Sequence, residues 1–533
     1  MTAAPKTETV LDQAWGASWI VGASAALSRV LGLMRDVLLA AVFGAGPVAD
    51  ALLVGLRLPQ LVRRILSEGG AQAAFLPVIV ALQRSEKPES QSKQAAHLLM
   101  SLSYAVLVIC ALGIGLRAPL LHALAPGFAK DSEDFRLASM CLGLAFPLIG
   151  TSFLTAFATA WLSLSGAVRL ASLSTLVVNA AVVAALFAVQ HFLPSDDHAA
   201  LIVAASLTAA GLLQATVLLS VLWRQGTFLA RACLVRFWPD WSSLKDLGRR
   251  LMPSLIVNAA PQLVFLVCVM QATHWPGGAS ALIYAERVVQ LPFGFIAASL
   301  SIVALPRLTA LYERGQQSEG RLLVAEAIWR SLALAIPAVI GLVFLAEPII
   351  LVLFQYGAFS TQSAAQTGIL LQFMACSLPF MAIGRVYGQA FFAQQIYQAP
   401  LAASLMGVAT ALLLCPFASD EKGLALSFCA AQGVEWLVIL IWSLRCAIVS
   451  KANLSCQPFF KLLFCNGVLA LYLAVFADGS DLWDLAVRER LAGTGRLMGV
   501  IIGAMILYAL CLGLGGLWGR FRAKNSSTTL HDA

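Results

Sequence analysis

The sequence predicts an all-α polytopic membrane protein of about fourteen transmembrane helices, and three observations predict it. Apolar residues make up 60% of the 533 positions. Asp, Glu, Lys and Arg together supply only 12%, about half the ~25% of an ordinary soluble domain. Mean hydropathy is +0.84, which leaves little material for aqueous domains and excludes a soluble protein. The formal charge of +8 comes from basic residues scattered between apolar runs, so it reads as an orientation signal and no nucleic-acid partner is expected.

Windows of ~20 apolar residues closed by charges, Gly or Pro place the helices in order. The first, 17–42, follows a polar cytoplasmic segment 1–16 that lacks the pattern of a cleaved signal peptide; it stops at Gly44 and Gly46. The second, 50–80, ends before the charged stretch from Arg84 to Lys93. The third, 96–116, ends at Arg117, and Pro119 to Phe128 is apolar but too short to cross. The fourth and fifth, 136–163 and 168–190, flank Ser165 and Gly166; the sixth, 199–223, follows Asp196 and Asp197. A basic segment, 224–249, is the expected linker to 250–273 and 281–306. After 323–345 comes a second short apolar stretch, Glu347 to Phe359, read as re-entrant or interfacial. Windows 362–392, 398–416, 423–445, 459–477 and 494–519 complete the set, and the polar tail 520–533 is expected to be disordered.

With fourteen spans both termini share a side. Loops and adjoining helix ends on that side hold 21 Lys and Arg against 7 opposite, so the positive-inside rule places both termini in the cytoplasm. The eleven cysteines lie mostly in apolar runs without a CxxC pair and read as small apolar side chains. The histidines show no HExxH spacing and Asp196-Asp197 stands alone, so no metal site is expected; nor is there a nucleotide-binding loop.

Of the arginines inside the predicted spans, Arg330 lies about two turns from a cytoplasmic end and can snorkel, and six need an explanation: Arg29, Arg35, Arg57, Arg63, Arg64 and Arg287. Each would cost roughly 2.5–3.5 kcal/mol at mid-membrane, so six facing lipid would cost ~15–20 kcal/mol. The candidate acids to pair with them are Asp36, Glu68 and Glu286, with Asp50 near the end of the second span. At 100° per residue Arg57, Arg64 and Glu68 share one stripe, Arg63 lies off it, and Arg29 shares a face with Asp36 as Ser28 does with Arg35. Ion pairing, with Arg29 to Asp36 as the leading pair, is one reading. The acids are too few for all six, so the remaining guanidinium forks point to an anionic substrate, phosphate or carboxylate.

The run Ser28-Arg-Val-Leu-Gly-Leu-Met-Arg-Asp36, then Phe43-Gly-Ala-Gly46, Ala49-Asp-Ala51, Arg57-Leu-Pro59, Arg63-Arg64, Glu68-Gly69 and Ala74-Phe-Leu-Pro77, closely resembles the opening of the MurJ (MviN) family of lipid II flippases. Tyr284-Ala-Glu-Arg287, Leu291-Pro292, Leu305-Pro306, Leu353 to Phe359 and Arg385 to Pro400 extend the match over nearly the whole chain. The resemblance implies the multidrug/oligosaccharidyl-lipid/polysaccharide exporter superfamily: two six-helix lobes (17–223 and 250–445) around a central cationic cavity, plus two C-terminal helices (446–519) forming a groove for a lipid tail. It implies a transporter without catalytic residues or cofactor. Such a protein flips lipid II, an undecaprenyl-diphosphate-linked disaccharide-pentapeptide, across the bacterial inner membrane by alternating access. Arg29, Arg35, Arg63, Arg64 and Arg287 would engage the diphosphate, with Ser28, Asp50 and Glu68 in support; Arg57, Asp36 and Glu286 join them from the residue reading. Membrane potential or an ion gradient would drive the cycle, and membrane lipids and cell-wall synthesis proteins are the expected partners.

Two departures stand out. Gln355-Tyr356 replaces the Glu-Arg of many members, and residues 254–273 hold no acid for the sodium site that some members carry. A flippase for another polyprenyl-diphosphate glycan needs the same arginines. A drug exporter of the superfamily would need an acidic cavity, and an integral-membrane glycan transferase would need a catalytic acid constellation that the sequence lacks. Finally, Ala51-Leu-Leu-Val-Gly-Leu-Arg57 aligns with Ala281-Leu-Ile-Tyr-Ala-Glu-Arg287, each followed by Leu-Pro, which predicts pseudo-equivalent positions for Arg57 and Arg287 in two parallel repeats.

Overall fold

The computed structural model describes residues 7–66, 75, 79–80, 88–164, 167–192, 197–224, 245, 248, 259, 262–448, 456–476 and 490–514. All regular structure among them is helical. Glu68, most of the expected linker 224–249 and the tail 520–533 lie outside the described residues.

Among the described residues nine helical stretches are long and apolar enough to cross a membrane, Glu133–Leu164 counted as one, and a bent pair makes a tenth. By contact pattern the chain forms two units, one of Met1–Ser280 with Tyr356–Phe359, the other of Ala281–Gln355 with Ser360–Ala533.

In the first unit, α1 (Thr7–Phe43) and α2 (Pro47–Ile65) are followed by α3 (Pro88–Gly115) and the eight-residue α4 (Arg117–Leu124). At ~12 Å, α4 cannot cross a bilayer, as the short apolar stretch there predicts. The expected span 136–163 is two helices, α5 (Glu133–Ala145) and α6 (Pro147–Leu164). Pro147 has no N–H to continue the ladder and disfavours helical geometry before it; the Cys110 thiol lies 3.7 Å from the Phe146 carbonyl at this break. Ser132 starts α5, its hydroxyl accepting from Phe135 N–H at 3.1 Å, with Glu133 and Asp134 in the first turn. The unit continues through α7 (Val168–Phe192), α8 (Asp197–Arg224) and α9 (Gln262–Ala272).

Here α2 packs on α5 and α6, α1 on α7, and α8 on α5, α6 and α7. Lipid tails are as apolar as leucine, so close backbone approach drives such packing. Gly55 of α2 supplies one approach: a Cβ there would lie 2.6 Å from the Ala138 carbonyl oxygen of α5. Gly211 of α8 supplies another, against Leu148 and Thr151 of α6. Accordingly 72% of the apolar window of Glu133–Leu164 is buried, which makes α5–α6 the interior of this unit.

The second unit starts in α10 (Gly278–Glu313), followed by α11 (Gln317–Phe344) and α12 (Ala346–Phe354). Nine residues, ~14 Å, keep α12 from crossing, again as the sequence predicts. The expected span 362–392 is α13 (Thr361–Ala375) and α14 (Leu378–Ala393), bent by 44° just before Pro379. Next come α15 (Gln398–Leu414), a 3-10 turn (Cys415–Phe417) and α16 (Glu421–Arg445), whose N-cap Asp420 accepts from Gly423 N–H at 2.8 Å. The last two are α17 (Cys456–Phe476) and α18 (Arg490–Leu514). They pack on each other, α17 also on α11, and the Tyr508 hydroxyl of α18 donates to the Ala333 carbonyl of α11 at 2.8 Å. Only 28% and 22% of their apolar windows are buried, so they offer lipid the largest free faces.

Candidate functional site

In α1, Arg35 and Asp36 are adjacent, and the long arginine stem folds back so that Nε and Nη2 both donate to Asp36 Oδ1, at 3.0 and 2.8 Å. Asp36 is buried, and the Arg35 side chain is 11% exposed. From α7, Asn179 completes the arrangement. Its Oδ1 accepts from Arg35 Nη1 at 3.3 Å, while its Nδ2 donates to the Ser28 carbonyl at 3.1 Å and the Ser28 hydroxyl at 3.3 Å. Gly32, one turn from both, leaves room for the amide, 3.9 Å from where a Cβ would be.

Helical spacing sets Asp36 on the face of Arg29, and the structure shows the neighbouring Arg35 on that carboxylate. Helical spacing compares side-chain directions at Cβ, but an arginine reaches several ångströms further, so Arg35 can fold back onto the adjacent carboxylate. Arg29 itself is exposed.

In α2 the three arginines differ in setting. Arg57 is 6% exposed, with its guanidinium carbon 4.4 Å from the centre of the Phe265 ring of α9. Ring and cation attract through the aromatic quadrupole, and more strongly away from water. Arg63 and Arg64 are half-buried in the last turn of α2, where the helix carbonyls favour cations.

Asp50, expected to support the substrate arginines, is 1% exposed and has both oxygens engaged elsewhere. Oδ2 accepts from Gly277 N–H at 2.6 Å and Oδ1 from Ser280 N–H at 2.7 Å. It thus caps the first turn of α10 from a position far away in sequence. Gly277 has φ +78° and a missing Cβ that would lie 2.7 Å from the Ala45 carbonyl oxygen; both features demand glycine. The turn Tyr356–Phe359 docks nearby, Ala358 N–H donating to the Ala41 carbonyl of α1 at 2.8 Å.

Within the second unit, Glu286 of α10 is 3% exposed and accepts from Gln290 Nε2 one turn on, at 3.1 Å. Arg287 is half-buried. Tyr284, which begins the same motif, is 1% exposed and lies with its ring 5.3 Å from that of Phe354 at the end of α12.

Sequence reasoning missed Asn179, Phe265 and Gln290. A lone amide within an apolar span was the available signal for Asn179, whereas Phe265 is one phenylalanine among 28.

The family model described as "Lipid II flippase MurJ" matches residues 39–484. The chain is 26% identical over 465 residues to the probable lipid II flippase MurJ of Buchnera aphidicola subsp. Acyrthosiphon pisum (strain APS), covering 86% of this chain and 89% of that one. With the probable lipid II flippase MurJ of Rhizobium meliloti (strain 1021) it shares 26% identity over 515 residues, 93% of each chain. Among solved structures, a lipid II flippase MurJ in an inward closed conformation matches with TM-score 0.77 at 19% identity, over 93% of this chain and 98% of that one. An inward-facing multidrug resistance MATE family transporter of the MOP superfamily matches with TM-score 0.63 at 17% identity, over 79% and 94%. Both likenesses are of fold.

Proposed function

The chain belongs to the lipid II flippase MurJ family, and we propose that it moves lipid II from the cytoplasmic to the outer leaflet of the bacterial inner membrane. It is a transporter, not an enzyme, and works by alternating access of a substrate site to the two sides.

The observation that carries this reading is the set of six arginines within the spans, outnumbering the acids beside them. A diphosphate offers several oxygens to planar guanidinium forks, and burial strengthens each charge-assisted bond. Arg29, Arg35, Arg63, Arg64 and Arg287 are the proposed contacts. The Arg35 fork is braced by Asp36 and Asn179, which lowers the entropy lost when it takes a phosphate. Arg57, with its guanidinium over the Phe265 ring, is the sixth proposed contact. Ser28, Asp36, Asp50, Glu68 and Glu286 support the set, Asp50 through its bonds to the backbone at the start of α10.

Both termini lie in the cytoplasm in this reading, which the 21-to-7 distribution of basic residues supports. Membrane potential or an ion gradient supplies the driving force, and cell-wall synthesis proteins are the proposed partners.

The test is transport of lipid II in proteoliposomes together with rescue of a flippase-depleted bacterium. Alanine at Arg29, Arg35 or Arg287 is expected to abolish both with protein levels near normal. Lysine should restore part of the activity, keeping charge without the fork. Wild-type transport by all three alanine variants would exclude the arginine site. Transport of a different polyprenyl-diphosphate glycan in preference to lipid II would reassign the substrate while keeping the site.

A further inference from the structure

Helix α16 carries an acid that lies outside the arginine set and was not among the acids counted within the spans. Glu435 sits near the middle of α16, which is 25 residues long and apolar enough to cross a membrane. Facing it from α15 is Ser404, whose hydroxyl donates to Glu435 Oε1 at 3.1 Å. The other oxygen, Oε2, is buried and has no hydrogen-bond partner among the described residues. Gly407 of α15 lies against this seat: a Cβ there would lie 3.4 Å from Oε2 and 3.3 Å from Glu435 Cβ.

Among the described residues of the helices packed on α16, no cation faces the carboxylate. Helix α16 packs on α13, α14, α15 and the 3-10 turn. Helices α13 and α15 contain no ionisable side chain, and the turn contains only buried Cys415. Helix α14 contributes Arg385, which is exposed, and Tyr387, whose hydroxyl bonds Ser443. On α16 itself the Cys429 thiol is taken by the Phe373 carbonyl at 3.5 Å, and Glu421, Lys422 and Arg445 are ~15 Å or more along the axis. A carboxylate charged in this setting would keep its charge at mid-membrane with a single hydrogen bond, an expensive state. A metal ion does not relieve it, because hard cations take about six or more oxygens and no cluster of three ligating His, Cys, Asp or Glu exists among the described residues. A proton on Oε2 does relieve it, leaving one unfilled hydrogen-bond valence in place of a charge.

We propose that Glu435 is a proton-binding site, neutral when α15 and α16 pack as here, which releases its proton only when water reaches it by the parting of these two helices. The proton then binds the packed arrangement in preference to the parted one. By linkage, pH biases that packing: acid favours contact and alkali favours separation. That this equilibrium is a step of transport rests on the flippase reading; the proton site itself does not.

The experiment uses the full chain in proteoliposomes. Dicyclohexylcarbodiimide, which adds to protonated carboxyls in apolar surroundings, is expected to modify Glu435 in the wild type, with labelling falling as pH is raised across the neutral range, read by mass spectrometry of the α16 peptide. Glu435→Gln should flip lipid II at a rate that no longer follows pH where the wild-type rate varies severalfold. Absence of label on Glu435, labelling independent of pH, or an unchanged pH profile in Glu435→Gln would each overturn the proposal. Should Glu435→Gln fail to fold, the wild-type labelling decides alone. Normal pH-dependent labelling in a protein that moves no lipid II would sink the flippase reading and leave the proton site standing.

Discussion

At the scale of single residues, the intramembrane charges divide by what they touch. Asn179 joins Ser28, 151 positions away, and Arg35, 144 away, so Asn179→Leu removes one bond to a charged group and two that hold the amide in place. A hydrogen bond to a charged group contributes ~1.5–3 kcal/mol, so lipid II flux should fall about tenfold or more, measured as initial rate in proteoliposomes. The protein should still be inserted and folded, because Asp36 keeps its two bonds to Arg35. Asp50→Ala should act oppositely. It strips the cap from α10 and is expected to destabilise by about 1–2 kcal/mol, seen as a lower melting temperature in detergent, with asparagine intermediate since its amide offers one acceptor. A melting temperature unchanged in Asp50→Ala would show that the cap carries no weight.

Among the helices, proximity is set by small residues and by breaks at proline. Gly55 lies against the α5 backbone, so Gly55→Val should force α2 and α5 apart. Overpacking of this kind costs ~1–3 kcal/mol, and the expected result is a reduced yield of folded protein by size-exclusion chromatography. Gly384→Ala, where nothing lies within 4 Å of the added carbon, should be neutral and serves as the control. The sequence located both short helices, α4 and α12, because their apolar runs are too brief for a bilayer. It did not locate the breaks at Pro147 and between α13 and α14, because hydropathy is continuous across them and a membrane-embedded proline is often accommodated within one helix.

For the molecule as a whole, the distribution of basic residues predicts orientation. A cysteine placed at Trp238, in a background without native cysteine, should react with an impermeant maleimide only after the membrane is opened; labelling from outside intact cells would reverse the assignment. Composition and motif determined the membrane class, the family and the arginines by themselves, since apolar content and local runs are properties of the linear chain. The tertiary structure alone decided that Asp36 pairs with Arg35, that Arg57 lies on Phe265, that Asp50 caps a helix 227 positions away, and that Glu435 faces Ser404 and Gly407. Each depends on which faces of distant helices meet, and in a chain that is 60% apolar most helix faces read alike until packing chooses between them.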